Sequence, residues 1–238
     1  MWTRVQLKSN AKRVLEQSYL KAFVAALVLA FVTGGYDAVE KTVSTSGAGG
    51  EAAIGWLLPF MIGELLSNGL IWLAVAIMVF PALEVGCHRF YLEATQFRFD
   101  LRELGYAFAG KGYINIILTM LLRSVYTILW LVCFIIPGIV KYYAYSMVPY
   151  LLAENPNISP SRAIAISNQM TRGHKMDMFI LDISFLGWIL LGALALGIGL
   201  LFVNPYIYST NAQLYLALRS RALEFGITSL EELTPPQQ

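Results

Sequence analysis

Apolar runs cover residues 19–36, 65–86, 113–136, 139–153, 176–196 and 200–218, and short polar stretches separate them. A bilayer core needs about 20 apolar residues in helical form, and in hydrocarbon only helices and closed barrels satisfy the backbone. The pattern therefore predicts an all-α, polytopic membrane protein. It has six transmembrane helices as three hairpins, with short cytoplasmic amphipathic helices, in one integral membrane domain over 1–238. The stretch WLVCFIIPGIVKYYAYSMVPYLLAEN (130–155) organises the rest. Pro137-Gly138 stands between two apolar runs and marks a tight turn there.

The polar stretches carry helical periodicity. In residues 1–18, Arg4, Lys8 and Lys12 recur every four residues on one face, while Leu7, Ala11, Val14 and Leu15 take another. This reads either as an interfacial helix on the anionic inner leaflet or as a charged flank that orients the first span. Glu16 and the lack of a small-residue cleavage site favour a span over a cleaved signal at 19–36. Residues 37–51 form a polar, Gly-rich loop. Residues 52–63, interrupted by Pro59, either lie in the outer interface or begin the second span. Leu101, Leu104 and Phe108 share one helix face, as do Ala163, Ile166 and Met170. Ser159-Pro160 starts the latter helix. Residues 197–205 break the chain before the last span, with Asn204-Pro205 as a kink.

Composition agrees with lipid contact. Of 238 residues, 57% are hydrophobic and 13% charged, with a mean hydropathy of +0.60. A soluble domain carries about 25% charged residues, so too few are present here to cover a water-facing surface. The net charge of +2 is small, but its distribution is not. With the N-terminus inside, 14 of the 17 Lys and Arg fall in cytoplasmic segments or, for Lys21, at the inner end of the first span, Lys41 alone lies outside, and Arg123 and Lys141 lie deeper within spans. That is a strong positive-inside bias, and it puts both termini in the cytoplasm. Cys87 and Cys133 have no framework spacing and predict no disulfide.

The chain also repeats. Tyr143-Ala144-Tyr145-Ser146 recurs as Tyr206-Ile207-Tyr208-Ser209, 63 residues on. Gly110 and Gly173 share that spacing, as do Leu151 and Leu214. The unit is a cytoplasmic helix followed by a hairpin, in parallel copies. The N-terminal helix and first two spans form a divergent first copy.

The segments IIPGIVKYYAYSMVPYLLAENPNIS (135–159), SRAIAISNQMTRGHK (161–175), DISFLGWILLGALALGIGLL (182–201) and NPYIYSTNAQLY (204–215) resemble a bacterial family of integral membrane proteins of unknown function, domain of unknown function nine-seven-five. LKSNAKRVL (7–15) fits its opening. The resemblance implies a six-span cell-membrane protein and no activity. It extends more remotely to the membrane domain of glycerophosphodiester phosphodiesterases, whose catalytic domain has no counterpart here.

Charges inside spans are functional candidates. Arg123 lies about 15 Å into its span and Asp182 roughly 9 Å above the inner end of the fifth, at 1.5 Å per residue. They form either a structural ion pair or a polar binding site. Tyr143, Tyr145, Ser146, Tyr208 and Ser209 lie at similar depth, as a cavity lining or as helix glue. Lys141, Arg172, His174 and Lys175 are candidate headgroup contacts. Glu84, near the inner end of its span, reaches headgroups or a cytoplasmic partner. Gly187, Gly192, Gly197 and Gly199 predict close helix approach. No catalytic constellation, metal-ligand spacing or nucleotide loop is present in the sequence, so no enzyme, metal or cofactor is expected. The expected partners are membrane lipids and a membrane protein, with no nucleic acid. Three functions stay open: a non-enzymatic protein that binds or moves a small amphiphile, lipid or peptide; an accessory subunit that docks on another membrane complex; and an intramembrane enzyme.

Overall fold

The computed structural model describes residues 2–44, 77–109, 112–194 and 198–234. Residues 45–51 of the expected 37–51 loop, the 52–63 stretch and most of the second span lie outside the described residues. The described chain is all helical, with no strand among its residues.

Helix α1 (Arg4–Ser44) is broken at Ser18, whose backbone (φ −158°, ψ 60°) is not helical. That is where the sequence changes from basic amphipathic to apolar. Leu7, Ala11, Val14 and Leu15 are buried, as their shared face predicts, and Arg4 and Lys12 are exposed. The helix continues past Asp37, where a loop was expected, because no Gly or Pro intervenes before Ser44. Helix α2 (Phe80–Thr95) leads through a 3₁₀ turn (Leu101–Gly105) and the short α3 (Tyr106–Ala109) into α4 (Tyr113–Cys133).

Helices α4 and α5 (Ile135–Tyr145) form the expected hairpin, but the turn is not at Pro137-Gly138. Phe134 alone is extended (φ −155°, ψ 126°), ending one helix and starting the next. Pro137 falls in the first turn of α5, where a missing N–H leaves no bond unmade. Gly138 allows the two helices to touch, since a Cβ there would lie 2.7 Å from the Leu131 Cα. The contacts of Trp130 with Lys141 and of Tyr126 with Tyr145 fix the antiparallel register.

Two expected spans are divided. Residues 139–153 break at Ser146–Met147 between α5 and α6 (Val148–Glu154). Residues 176–196 break at Ser184–Phe185 between α8 (Lys175–Ile183) and α9 (Leu186–Leu194). Each break frees backbone groups that need partners. At the first, the Ser167 hydroxyl of α7 (Pro160–Met170) donates to the Ala144 carbonyl at 2.7 Å and accepts from the Met147 N–H at 3.3 Å. At the second, Lys8 Nζ donates to the Ser184 carbonyl at 3.3 Å and lies 4.2 Å from the Phe185 ring centre. The last long helix, α10 (Ile198–Glu224), is helical through Pro205, so residues 198–205 of the expected break are helical. Gly192 of α9 meets Gly199 and Leu200 of α10 at van der Waals limits, Gly187 faces open space, and Gly197 lies outside the described residues.

Among the described residues, α4 is the one helix long and apolar enough to cross a membrane unaided. Large apolar side chains nonetheless face outward along α4, α5, α8 and α9, with Val132 80%, Ile136 77% and Leu194 81% exposed. The opposite end is polar and cross-linked. Arg89 pairs with Glu103 at 2.6 Å and Glu154 with Arg219 at 2.9 Å. The C-terminal helix α11 (Leu230–Leu233) is clasped onto α7, with Arg162 Nε and Nη2 donating to Glu232 at 2.7 and 2.9 Å.

This clasp gives a pH prediction. The hydrogen-bonded Arg162 guanidinium holds the Glu232 carboxyl below its ordinary value of 4.5. The clasp therefore contributes fully above that value and is lost as pH falls through the lowered one. Glu232→Gln should speed amide exchange over 227–234 at neutral pH by roughly fivefold, the reach of a partly exposed ion pair. The wild type should converge on the variant in acid.

Candidate functional site

The helices line a partly open cavity of about 340 Å³ with mixed polar and apolar walls. Helix α2 contributes Glu84 and His88, one turn apart on the same face. Helix α4 contributes Arg123. Helix α5 contributes Tyr142 and Tyr143, and the break after it contributes Ser146. Tyr150 of α6, Asp182 of α8, and Tyr208 and Asn211 of α10 close the wall, with Leu29 of α1. Pro149 sits in the first turn of α6 and cannot extend α5, so the break keeps Ser146 and Tyr150 on the cavity side.

Arg123 and Asp182 both line this cavity, but they are not each other's partners. Arg123 Nη1 donates to Glu84 Oε1 at 3.1 Å, and both side chains are mostly buried. Asp182 Oδ2 accepts the Tyr143 hydroxyl at 2.7 Å. Each contact ties two helices, α2 to α4 and α5 to α8. Glu84, expected to reach headgroups, is instead the counter-charge of the buried arginine. His88 Nε2 lies 4.0 Å from Glu84 Oε1, and its ring stands 4.3 Å from that of Tyr150. Tyr150 stacks in turn on Tyr215 at 5.1 Å.

The structure brings together Arg123, Asp182, Tyr143, Ser146 and Tyr208 from the expected set. It leaves out Tyr145, which packs toward Tyr126 and Lys141. It also leaves out Ser209, whose hydroxyl is buried without a hydrogen-bond partner among the described residues. Glu84, His88, Tyr142, Tyr150 and Asn211 join them. The Glu84–His88 pair at i, i+4 was the available signal.

None of the expected headgroup residues lines the cavity. Lys141 Nζ lies over the Trp130 ring at 4.9 Å. Arg172 is exposed. His174 is buried, with Nδ1 3.2 Å from Asp177 and its ring 6.0 Å from Trp2. Lys175 donates to Asn168 at 3.3 Å. Among the described residues, no three His, Cys, Asp or Glu are grouped to hold a metal, and both cysteines are free thiols.

Residues 106–222 match the family described as "Protein of unknown function (DUF975)". That segment is a DUF975 domain. It contains Arg123, Asp182 and every cavity residue from α4 to α10, while Glu84, His88 and Leu29 come from the chain before it. No curated protein and no solved structure matches the chain. The DUF975 match carries no phosphodiesterase with it.

The geometry predicts which charges are coupled. In double-mutant cycles read by thermal unfolding in detergent, Arg123→Ala and Glu84→Ala should be non-additive by about 1–3 kcal/mol, as for contacting groups. Arg123→Ala and Asp182→Ala should add within about 0.5 kcal/mol. Strong coupling in the second cycle and none in the first would mean the arginine pairs across the cavity instead.

Proposed function

We propose that this is a six-span protein of the cell membrane, with both termini cytoplasmic, that binds or moves a small amphiphile, lipid or peptide through the cavity among α2, α4, α5, α8 and α10. The supporting observation is an inverted distribution of polarity. Charged and hydroxyl side chains converge on one partly open cavity, while Val132, Ile136, Leu190 and Leu194 point away from the protein. A monomer in water exposes apolar patches of a few hundred Å² at most, and this surface runs over four helices. Lipid is the solvent that such a surface suits, and charges inside it then belong at a ligand or ion site. The cavity volume falls in the range of small-molecule sites.

The span count rests on hydropathy together with the observed hairpins. Short or divided helices cross membranes where their freed backbone is satisfied within the protein, as Ser167 and Lys8 do here. Orientation rests on the positive-inside bias. An accessory subunit would offer apolar faces from its cytoplasmic helices; Ala163, Ile166 and Met170 are turned inward, while Leu101 and Phe108 are exposed. The inward face of α7 favours the binding reading, and the exposed 101–109 segment keeps docking as the second one.

Native mass spectrometry of the protein, extracted from its own membrane, tests the proposal. The wild type should retain a bound small molecule of defined mass. Ser146→Phe, which fills the cavity, should lose it while keeping the wild-type melting behaviour. Adducts limited to bulk lipids, unchanged in Ser146→Phe, would contradict the proposal.

A further inference from the structure

The cavity wall carries a sign, and the sign selects a ligand class; the argument rests on the binding reading above. Three formally charged side chains line the cavity: Glu84, Arg123 and Asp182. Arg123 and Glu84 neutralise one another at 3.1 Å. Asp182 keeps one partner, the Tyr143 hydroxyl, and among the described residues no Lys, Arg or His lies within 4.0 Å of it. His88 does not supply the missing charge. An imidazolium donates from both nitrogens, and His88 Nδ1 is buried with no acceptor among the described residues. The lining is thus negative by one carboxylate.

The rest of the wall is aromatic. Tyr142, Tyr143, Tyr150 and Tyr208 line the same space. An aromatic ring face is the negative pole of the quadrupole and attracts cations, most strongly where water is scarce. The Tyr150 ring is already packed against His88 and Tyr215, which leaves Tyr142, Tyr143 and Tyr208. A hydroxyl-held carboxylate among phenol rings suits an organic ammonium, which needs a counter-charge and polarisable walls but few directed hydrogen bonds. An anionic headgroup would meet Asp182 and find Arg123 already engaged, and a buried like charge is costly.

We propose that the cavity takes the cationic head of a small amphiphile, an alkylammonium, with Asp182 as its counter-charge and Tyr142, Tyr143 and Tyr208 as its walls. Asp182 acts as a binding residue and Tyr143 as the group that orients it.

The test is isothermal titration of the purified full-length protein, in uncharged maltoside detergent, with benzyltrimethylammonium and with benzenesulfonate. Saturable 1:1 binding of the cation and none of the anion is expected. Asp182→Asn, which keeps an oxygen for the Tyr143 hydroxyl, should weaken cation binding about tenfold or more, the size of a lost charge-assisted contact. Tyr142→Leu should weaken it less, and the surface variant Glu231→Gln not at all. If Asp182→Asn unfolds, the comparison of cation with anion on the wild type decides alone. Preference for benzenesulfonate would overturn the ligand class and leave the binding reading standing. Cation binding unmoved in a folded Asp182→Asn would overturn the role of Asp182. If neither probe binds, the proposal fails, and the co-purified adduct in native mass spectrometry then shows separately whether the cavity binds anything.

Discussion

A charge enclosed among apolar helices has to find its counter-charge inside the protein. Arg123 meets that requirement with Glu84, across α2 and α4. Removing either partner of such a pair leaves the other stranded, which is strongly destabilising. Asp182 meets the requirement only in part, through one phenol hydroxyl to α5. The difference between a neutralised pair and a half-satisfied acid gives the cavity its character. It also places the chemistry on helices rather than on loops, where the supporting packing is firmest.

The same constraint explains the breaks. A helix interrupted away from water exposes carbonyls and N–H groups that need partners within the protein. At Ser146–Met147 the side chain of Ser167 serves both kinds of group, and at Ser184–Phe185 the ammonium of Lys8 serves the carbonyl. The 63-residue repeat superposes the α8–α9 pair on α4 and the start of α10 on α5. Each pair of equivalents contains one continuous and one broken helix. The two breaks fall at different places in the unit, on either side of the Tyr143–Asp182 bond. The two copies therefore differ where they meet the cavity.

Much of this was legible in the sequence. The change at Ser18, the α4–α5 hairpin and the inward face of α7 follow from period and composition alone. Asp182, Arg123 and Tyr143 were legible as polar groups within apolar runs because hydropathy fixes position along a run. It does not fix direction around the helix, so partners were not legible. Glu84 lies 39 residues from Arg123 in sequence, and nothing local points the two at one another. Direction also separates the Tyr-x-Tyr pairs. Residues two apart on a helix point about 200° away from each other, so Tyr143 faces the cavity and Tyr145 faces Tyr126. Ser146, three on from Tyr143, returns to the cavity side. Pro137-Gly138 was misread because proline is as much at home in a first helical turn as in the turn before it, and Phe134 carries no turn signal of its own.

The central claim is that polarity is inverted, with water or ligand inside and lipid outside. Spin labels at Leu190→Cys and Asn211→Cys test it in a background whose native cysteines are replaced. Reconstituted in bilayers, the label at 211 should show strong deuterium echo modulation from D2O. The label at 190 should show it from chain-deuterated lipid and little from D2O. Equal water contact at both positions would contradict the account.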